Sequence, residues 1–141
     1  MGPAAVDLKG KRVVVCEDEG VVLMHLRRIL TRTGMLIAGQ TNRGVEALDL
    51  VSKERPDIVL MDIELADMDG LEATRRIMQA APEPVCIVIL TAYTDDEHIR
   101  QAWEAGACAY ITKPIEPNAF VRHLQQAYET FVKTRGASPA A

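Results

Sequence analysis

Short apolar runs alternate with amphipathic stretches five times along this chain. The runs are RVVVC (12–16), MLIAG (35–39), DIVLM (57–61), VCIVIL (85–90) and ACAYI (107–111). Each is rich in Val and Ile and nearly free of polar residues, the pattern of strands buried on both faces of a parallel sheet. Between them, apolar positions recur at helical spacing. Val22, Leu26, Ile29 and Thr33 share one face before Gly34 stops the helix. Val45, Leu48 and Val51 share another, closed by Pro56. DGLE makes Asp69 the N-cap of a third helix, with Glu72 three residues on. TDDE repeats the device with Thr94 and Glu97, opening a helix whose apolar stripe holds Ile99, Ala102 and Trp103 and which stops at Gly106. Pro117 suits the first turn of a last helix carrying Phe120, Leu124, Ala127, Tyr128 and Phe131.

Five β–α units in strict alternation predict an α/β fold, a three-layer sandwich around a five-stranded parallel sheet. The 141 residues suffice for one domain and not for two ordinary ones. We place an N-terminal extension at 1–10, the domain at 11–133 and a frayed tail at 134–141.

Charge and composition narrow the function. The net charge of -4, with no Lys/Arg run, argues against direct binding of nucleic acid. Val85 to Leu90 is far too short to cross a bilayer, and MGPAAVDLKGKR lacks the apolar core of a signal peptide, so a cytoplasmic protein off the membrane is expected. Cys16, Cys86 and Cys108 form no C-x-x-C and read as reduced packing residues. His25, His98 and His123 fall on helices without metal-ligand spacing, and no glycine-rich nucleotide motif occurs.

In an open parallel sheet, ligands bind at the carboxyl ends of the strands. Strand one runs out into Glu17 and Asp18, then Glu19; strand three delivers Asp62; strand four delivers Thr91; strand five delivers Thr112, Lys113 and Pro114. Strand two offers only Gln40 and Thr41. Carboxylates crowded together repel unless a cation joins them. An oxygen-rich cluster without His or Cys suits Mg²⁺. A carboxylate nucleophile, a divalent cation, a lysine and a hydroxyl make up the kit for phosphoryl transfer to Asp. Asp67 and Asp69, in the loop after Asp62, read as solvated loop and cap residues.

VVVCEDE, IVLMDIELADMDG, VILTA and AYITKP, in this order, resemble the receiver domain of bacterial two-component response regulators over roughly residues 11 to 133. The resemblance implies a flavodoxin-like sheet of order 2-1-3-4-5 and a role for each matching residue. Asp62 accepts the phosphoryl group from a histidine kinase or a histidine phosphotransfer protein. Asp18 binds Mg²⁺ directly, Glu17 binds it through a water, and the backbone carbonyl of Glu64 completes the protein ligands. Lys113, ahead of a cis bond to Pro114, holds the phosphoryl oxygens. Thr91 swings toward them and Tyr110 turns inward, switching the face made of the fourth helix, fifth strand and fifth helix, which meets a downstream protein or a second copy. Glu64 and Tyr93 border the path of hydrolytic water and tune the lifetime. The chain departs from the family at Ala66, where proline is usual, which leaves that loop looser.

The expected function is that of a signalling phosphoswitch rather than an enzyme with a turnover substrate. A phosphatase of the haloacid dehalogenase type uses the same groups, but its nucleophile comes first in the chain and its metal-binding acids last; here the order is reversed. A receiver belonging to a longer regulator with a nucleic-acid-binding output domain is the alternative. Val21 and Met24, with Arg27 and Arg28, point away from the apolar face of the first helix and suit docking of a kinase helical bundle.

Overall fold

The computed structural model describes residues 6–137. In chain order the elements are β1 (Arg12–Cys16), α1 (Gly20–Thr33), β2 (Leu36–Thr41), α2 (Gly44–Glu54), β3 (Ile58–Met61), α3 (Gly70–Ala80), β4 (Cys86–Thr91), α4 (Asp96–Ala105), β5 (Ala109–Thr112) and α5 (Pro117–Ala137). The strands pair in parallel in the order β2-β1-β3-β4-β5, so all five carboxyl ends share one edge.

The period of two in a strand splits each apolar run between the two faces of the sheet. Val13, Val15, Ile58, Leu60, Cys86, Val88 and Leu90 pack under α1 and α5, against Leu26, Ile29, Phe120 and Leu124. Val14, Cys16, Val59, Met61, Ile87 and Ile89 face the other way, against Ala47 and Val51 of α2, Leu71 and Ile77 of α3, and Ala102 of α4. Both faces of β1, β3 and β4 are buried, which explains why these strands read as unbroken apolar runs. β2 differs: it is an edge strand, and Leu36 at its start is 55% exposed.

Several helical details depart from the sequence reading. The inward face of α2 is Gly44, Ala47 and Val51, while Val45 is exposed. α2 sits so close to the β3–α3 loop that a Cβ at Gly44 would come within 2.4 Å of Met68 Cγ. α4 is capped by Asp95, whose carboxylate accepts the His98 N–H at 3.1 Å, not by Thr94. Its inward residues are the small Ala102 and Ala105, which leaves Trp103 half exposed. Asp69 caps α3 as expected, but Glu72 pairs with Arg75 and Arg76 instead of closing a capping box.

The domain is longer at both ends than the pattern suggests. Leu8 is buried in the core, and α5 continues through Ala137. Residues 1–5 and 138–141 of the expected extension and tail lie outside the described residues.

Candidate functional site

Asp62 directly follows β3 and is buried, because the strand that carries it is the centre of the sheet. Its Oδ1 accepts the backbone N–H of Glu64 at 3.3 Å, and its Oδ2 lies 3.2 Å from Nζ of Lys113. Lys113 follows β5, reaches in from two strands away across a cis bond to Pro114, and is only 11% exposed at its side chain. The same ammonium contacts Glu17 at 3.2 Å and Glu19 at 2.9 Å. Burial works against this charge, but Glu19, Asp62 and Glu17 together outweigh it and hold the Lys113 ammonium above the ordinary lysine range.

Glu17 is the other buried acid. Burial, with the neighbouring Asp62, pushes its carboxyl up to about 7, against the bond it accepts from Glu19 N–H and the nearby Lys113. Its Oε1 is buried with no hydrogen-bond partner. A buried carboxylate oxygen left without a donor is costly unless a water or cation completes it. Carboxylate oxygens of Glu17, Glu19 and Asp62 lie within 4.8 Å of one another. This all-oxygen donor set, with one oxygen still lacking a partner, fits a hard divalent cation.

Asp18 is exposed and lies outside this cluster, which Glu19 joins. β1 ends at Cys16 and the chain turns there. Glu17 is buried, Asp18 is exposed, and the Glu19 N–H bond to Glu17 Oε2 at 3.0 Å folds Glu19 back toward the site. The inclusion of Glu19 was visible only as a third acid in CEDE.

Thr91 ends β4, is fully buried, and accepts the Tyr93 N–H on its hydroxyl at 3.4 Å. The Tyr110 hydroxyl donates to the Tyr93 carbonyl at 2.8 Å, tying β5 to the loop after β4. The Tyr93 ring stacks on His98 at 4.1 Å. With Glu64, Met68 and Asp69 these two rings line an open groove beside the Asp62 loop. Glu64, and then desolvation, hold the Tyr93 phenol above its usual range.

The loop after Asp62 is tied down rather than loose. Ala66 N–H donates to Asn42 O at 2.9 Å, a bond that proline could not make, and Glu64 bridges to Asp69. Asp67 is more than a solvated loop residue. Its carboxylate accepts from Gly44 N–H at 2.6 Å and Val45 N–H at 3.2 Å, capping α2 from a distance.

Val21 and Met24 are 82% and 69% exposed on α1, beside this edge, as helical geometry required. Among the described residues no helix is long and apolar enough to cross a membrane.

Residues 13–125 match the family model of the response regulator receiver domain. The chain belongs to that family.

This receiver domain is 36% identical over 115 residues to the uncharacterized transcriptional regulatory protein YhcZ of Bacillus subtilis, covering 81% of this chain but only 53% of that regulator. It is 34% identical over 117 residues to the chemotaxis protein CheY of Thermotoga maritima, covering 83% of this chain and 97% of that one. A CheY-like response regulator receiver domain protein from Methanospirillum hungatei superposes with a TM-score of 0.80 at 26% identity, over 89% of this chain and 98% of the other. The five-stranded order and five helices are those of the CheY-like, flavodoxin-like fold. The receiver is thus a signal-transduction module of a two-component system.

Proposed function

We propose that this receiver takes a phosphoryl group from a phosphohistidine on a histidine kinase or histidine phosphotransfer protein onto Asp62. The observation that carries this reading is the buried Asp62 carboxylate with Lys113 Nζ at 3.2 Å and the unpartnered Glu17 Oε1 beside it. An Asp62 oxygen attacks phosphorus as the bond to the imidazole nitrogen breaks. Lys113, already against Asp62, follows the phosphoryl oxygens as they arrive and exchanges its bond to Glu19 for them. Thr91 turns its hydroxyl toward the same oxygens.

Glu17 and Asp62 would hold Mg²⁺, with Glu19 in reach, the Glu64 carbonyl as the family resemblance implies, and Asp18 only after turning its exposed side chain inward. When bound, the ion neutralises charge on the phosphoryl oxygens and on the clustered carboxylates.

The added charge of about -1.5 to -2 biases a two-state face. Movement of Thr91 pulls on the loop that carries the Tyr93 carbonyl, so the Tyr110 hydroxyl loses its acceptor and the ring turns inward. The α4-β5-α5 face then presents a changed surface to a downstream protein or a second copy. The chain acts in the cytoplasm and makes no direct contact with nucleic acid or membrane. The shorter coverage of YhcZ favours a second reading, a receiver within a longer transcriptional regulator.

The test is intact mass after incubation with Mg²⁺ and acetyl phosphate. The mass should rise by one phosphoryl group, and Asp62→Asn should abolish the rise. A rise that survives Asp62→Asn contradicts the assignment.

A further inference from the structure

Cys86 and Cys108 play no part in the site. Cys86 opens β4 and Cys108 directly precedes β5, at the end of the sheet opposite Thr91 and Lys113. Five residues separate Cys86 from Thr91, about 16 Å along a strand. The two thiols are free, and their Sγ atoms lie 2.9 Å apart.

Their Cα spacing suits a covalent bond, and both side chains lie in the core layer under α1 and α5. Val88 pairs with Ala109, and Cys108 N–H donates to Ile87 O at 2.9 Å, so Cys86 and Cys108 sit one residue out of step on neighbouring strands. Strands about 4.8 Å apart, offset by one residue, bring the two Cα atoms to about 6 Å, inside the range a disulfide spans.

Access is asymmetric. Cys86 is buried in the core, while Cys108 is half-buried. A cavity of about 290 Å³ at this end of the sheet, lined by Ile77, Pro82, Val85, Tyr128 and Phe131, reaches Cys86. Cys16 has no such neighbour. It ends β1 in the opposite core layer, and burial, then Glu46, push its thiol up to about 12.

We propose that Cys86 and Cys108 are a redox-active dithiol, closed to an intrachain disulfide by a two-electron oxidant of the peroxide class. Cys108 is the first nucleophile. It is the more accessible of the two. The Cys108 sulfur attacks one peroxide oxygen and the O–O bond breaks, leaving a sulfenic acid and, with the thiol proton, one water. The Cys86 sulfur then attacks the Cys108 sulfur, the S–O bond breaks, and the departing hydroxide takes the Cys86 proton as a second water. One peroxide and two thiols give one disulfide and two waters. The bond closes a loop holding β4 and α4, and a dithiol reductant reopens it.

The experiment uses the full chain, treated with hydrogen peroxide, quenched and unfolded. Titratable thiols should fall from the three in the sequence by two, to one. Intact mass should fall by about two units, and a dithiol reductant should reverse both changes. Peptide mapping should join Cys86 to Cys108, and Cys16→Ser should keep the crosslink. Cys86→Ser should lose it and trap the Cys108 sulfenic acid for a dimedone-type probe. Three thiols retained, a mass rise in steps of about 16 units without the crosslink, or a crosslink through Cys16 or between chains would overturn the proposal.

Discussion

Gly70 closes directly on the backbone of Asp62. A Cβ at position 70 would fall 1.9 Å from the Asp62 carbonyl oxygen and 3.0 Å from the Ile63 Cα. The Gly70 N–H donates to Ile63 O at 2.7 Å, so the first residue of α3 is folded against the strand end that presents the acceptor. The methyl of Gly70→Ala has no flexible side chain to displace, only backbone. The variant should lose at least about 2 kcal/mol of stability, or shift Asp62, as overpacking does elsewhere. Denaturant unfolding of the purified variant checks this; an unchanged midpoint would contradict the packing described here.

Glu17 makes the domain sensitive to pH and to metal. With its folded value near 7 against an ordinary 4.5, the folded state holds a proton between these values that the unfolded state has released. Stability therefore falls as pH rises through that window, and the loss is complete above about 7. In metal-free buffer at about pH 8, Glu17→Gln should be the more stable form by on the order of 1–3 kcal/mol, the difference shrinking toward about pH 4.5. Mg²⁺ should reverse the order by stabilising the wild type and scarcely the variant. Melting curves with and without chelator measure both effects; identical metal responses would remove Glu17 from the metal site.

What the sequence disclosed follows the physics of each signal. The alternation of continuous apolar runs with helical stripes exposed the parallel sheet, and the first or second residue after each run located Asp62, Thr91 and Lys113. The apolar pattern hid local effects: nothing in MLIAG marks β2 as an edge strand, whose place came from the resemblance alone, and the shift of the α4 cap from Thr94 to Asp95 is a one-residue matter of backbone angles. Asp18 was assigned by likeness and Glu19 was only a third acid in CEDE, whereas the turn after Cys16 decides which acid is buried. The Ala66 bond to Asn42 and the capping of α2 by Asp67 join segments 24 and 23 residues apart, which no local pattern encodes. Cys86 and Cys108 looked like ordinary core residues because their meeting depends on strand register.

Tyr93 should protect the aspartyl phosphate. Its ring, held by the stack on His98, stands with Glu64 along the groove beside Asp62. Tyr93→Ala opens that approach to water and should shorten the phosphorylated lifetime by a factor of a few, since about 1 kcal/mol is worth about fivefold. The measurement is loss of phosphoprotein after the donor is removed. Decay at the wild-type rate, or slower, would reject the shielding role.

Met24 should matter to the partner rather than to the chemistry. It is exposed on α1 with Val21, away from the core and beside the site edge. Met24→Glu should slow phosphoryl transfer from the cognate kinase while leaving labelling by acetyl phosphate intact. Equal rates from the kinase would remove α1 as its docking surface.

Asp62 alone among the carboxylates should receive the phosphoryl group. The most direct measurement is to phosphorylate the full chain in Mg²⁺, reduce it with borohydride, and map the peptides by mass. Borohydride converts an aspartyl phosphate to homoserine and leaves free carboxylates unchanged. Homoserine should appear at position 62 alone, and not at all without Mg²⁺. Homoserine at another Asp, or an unmodified Asp62 in protein that carries phosphate, would contradict it.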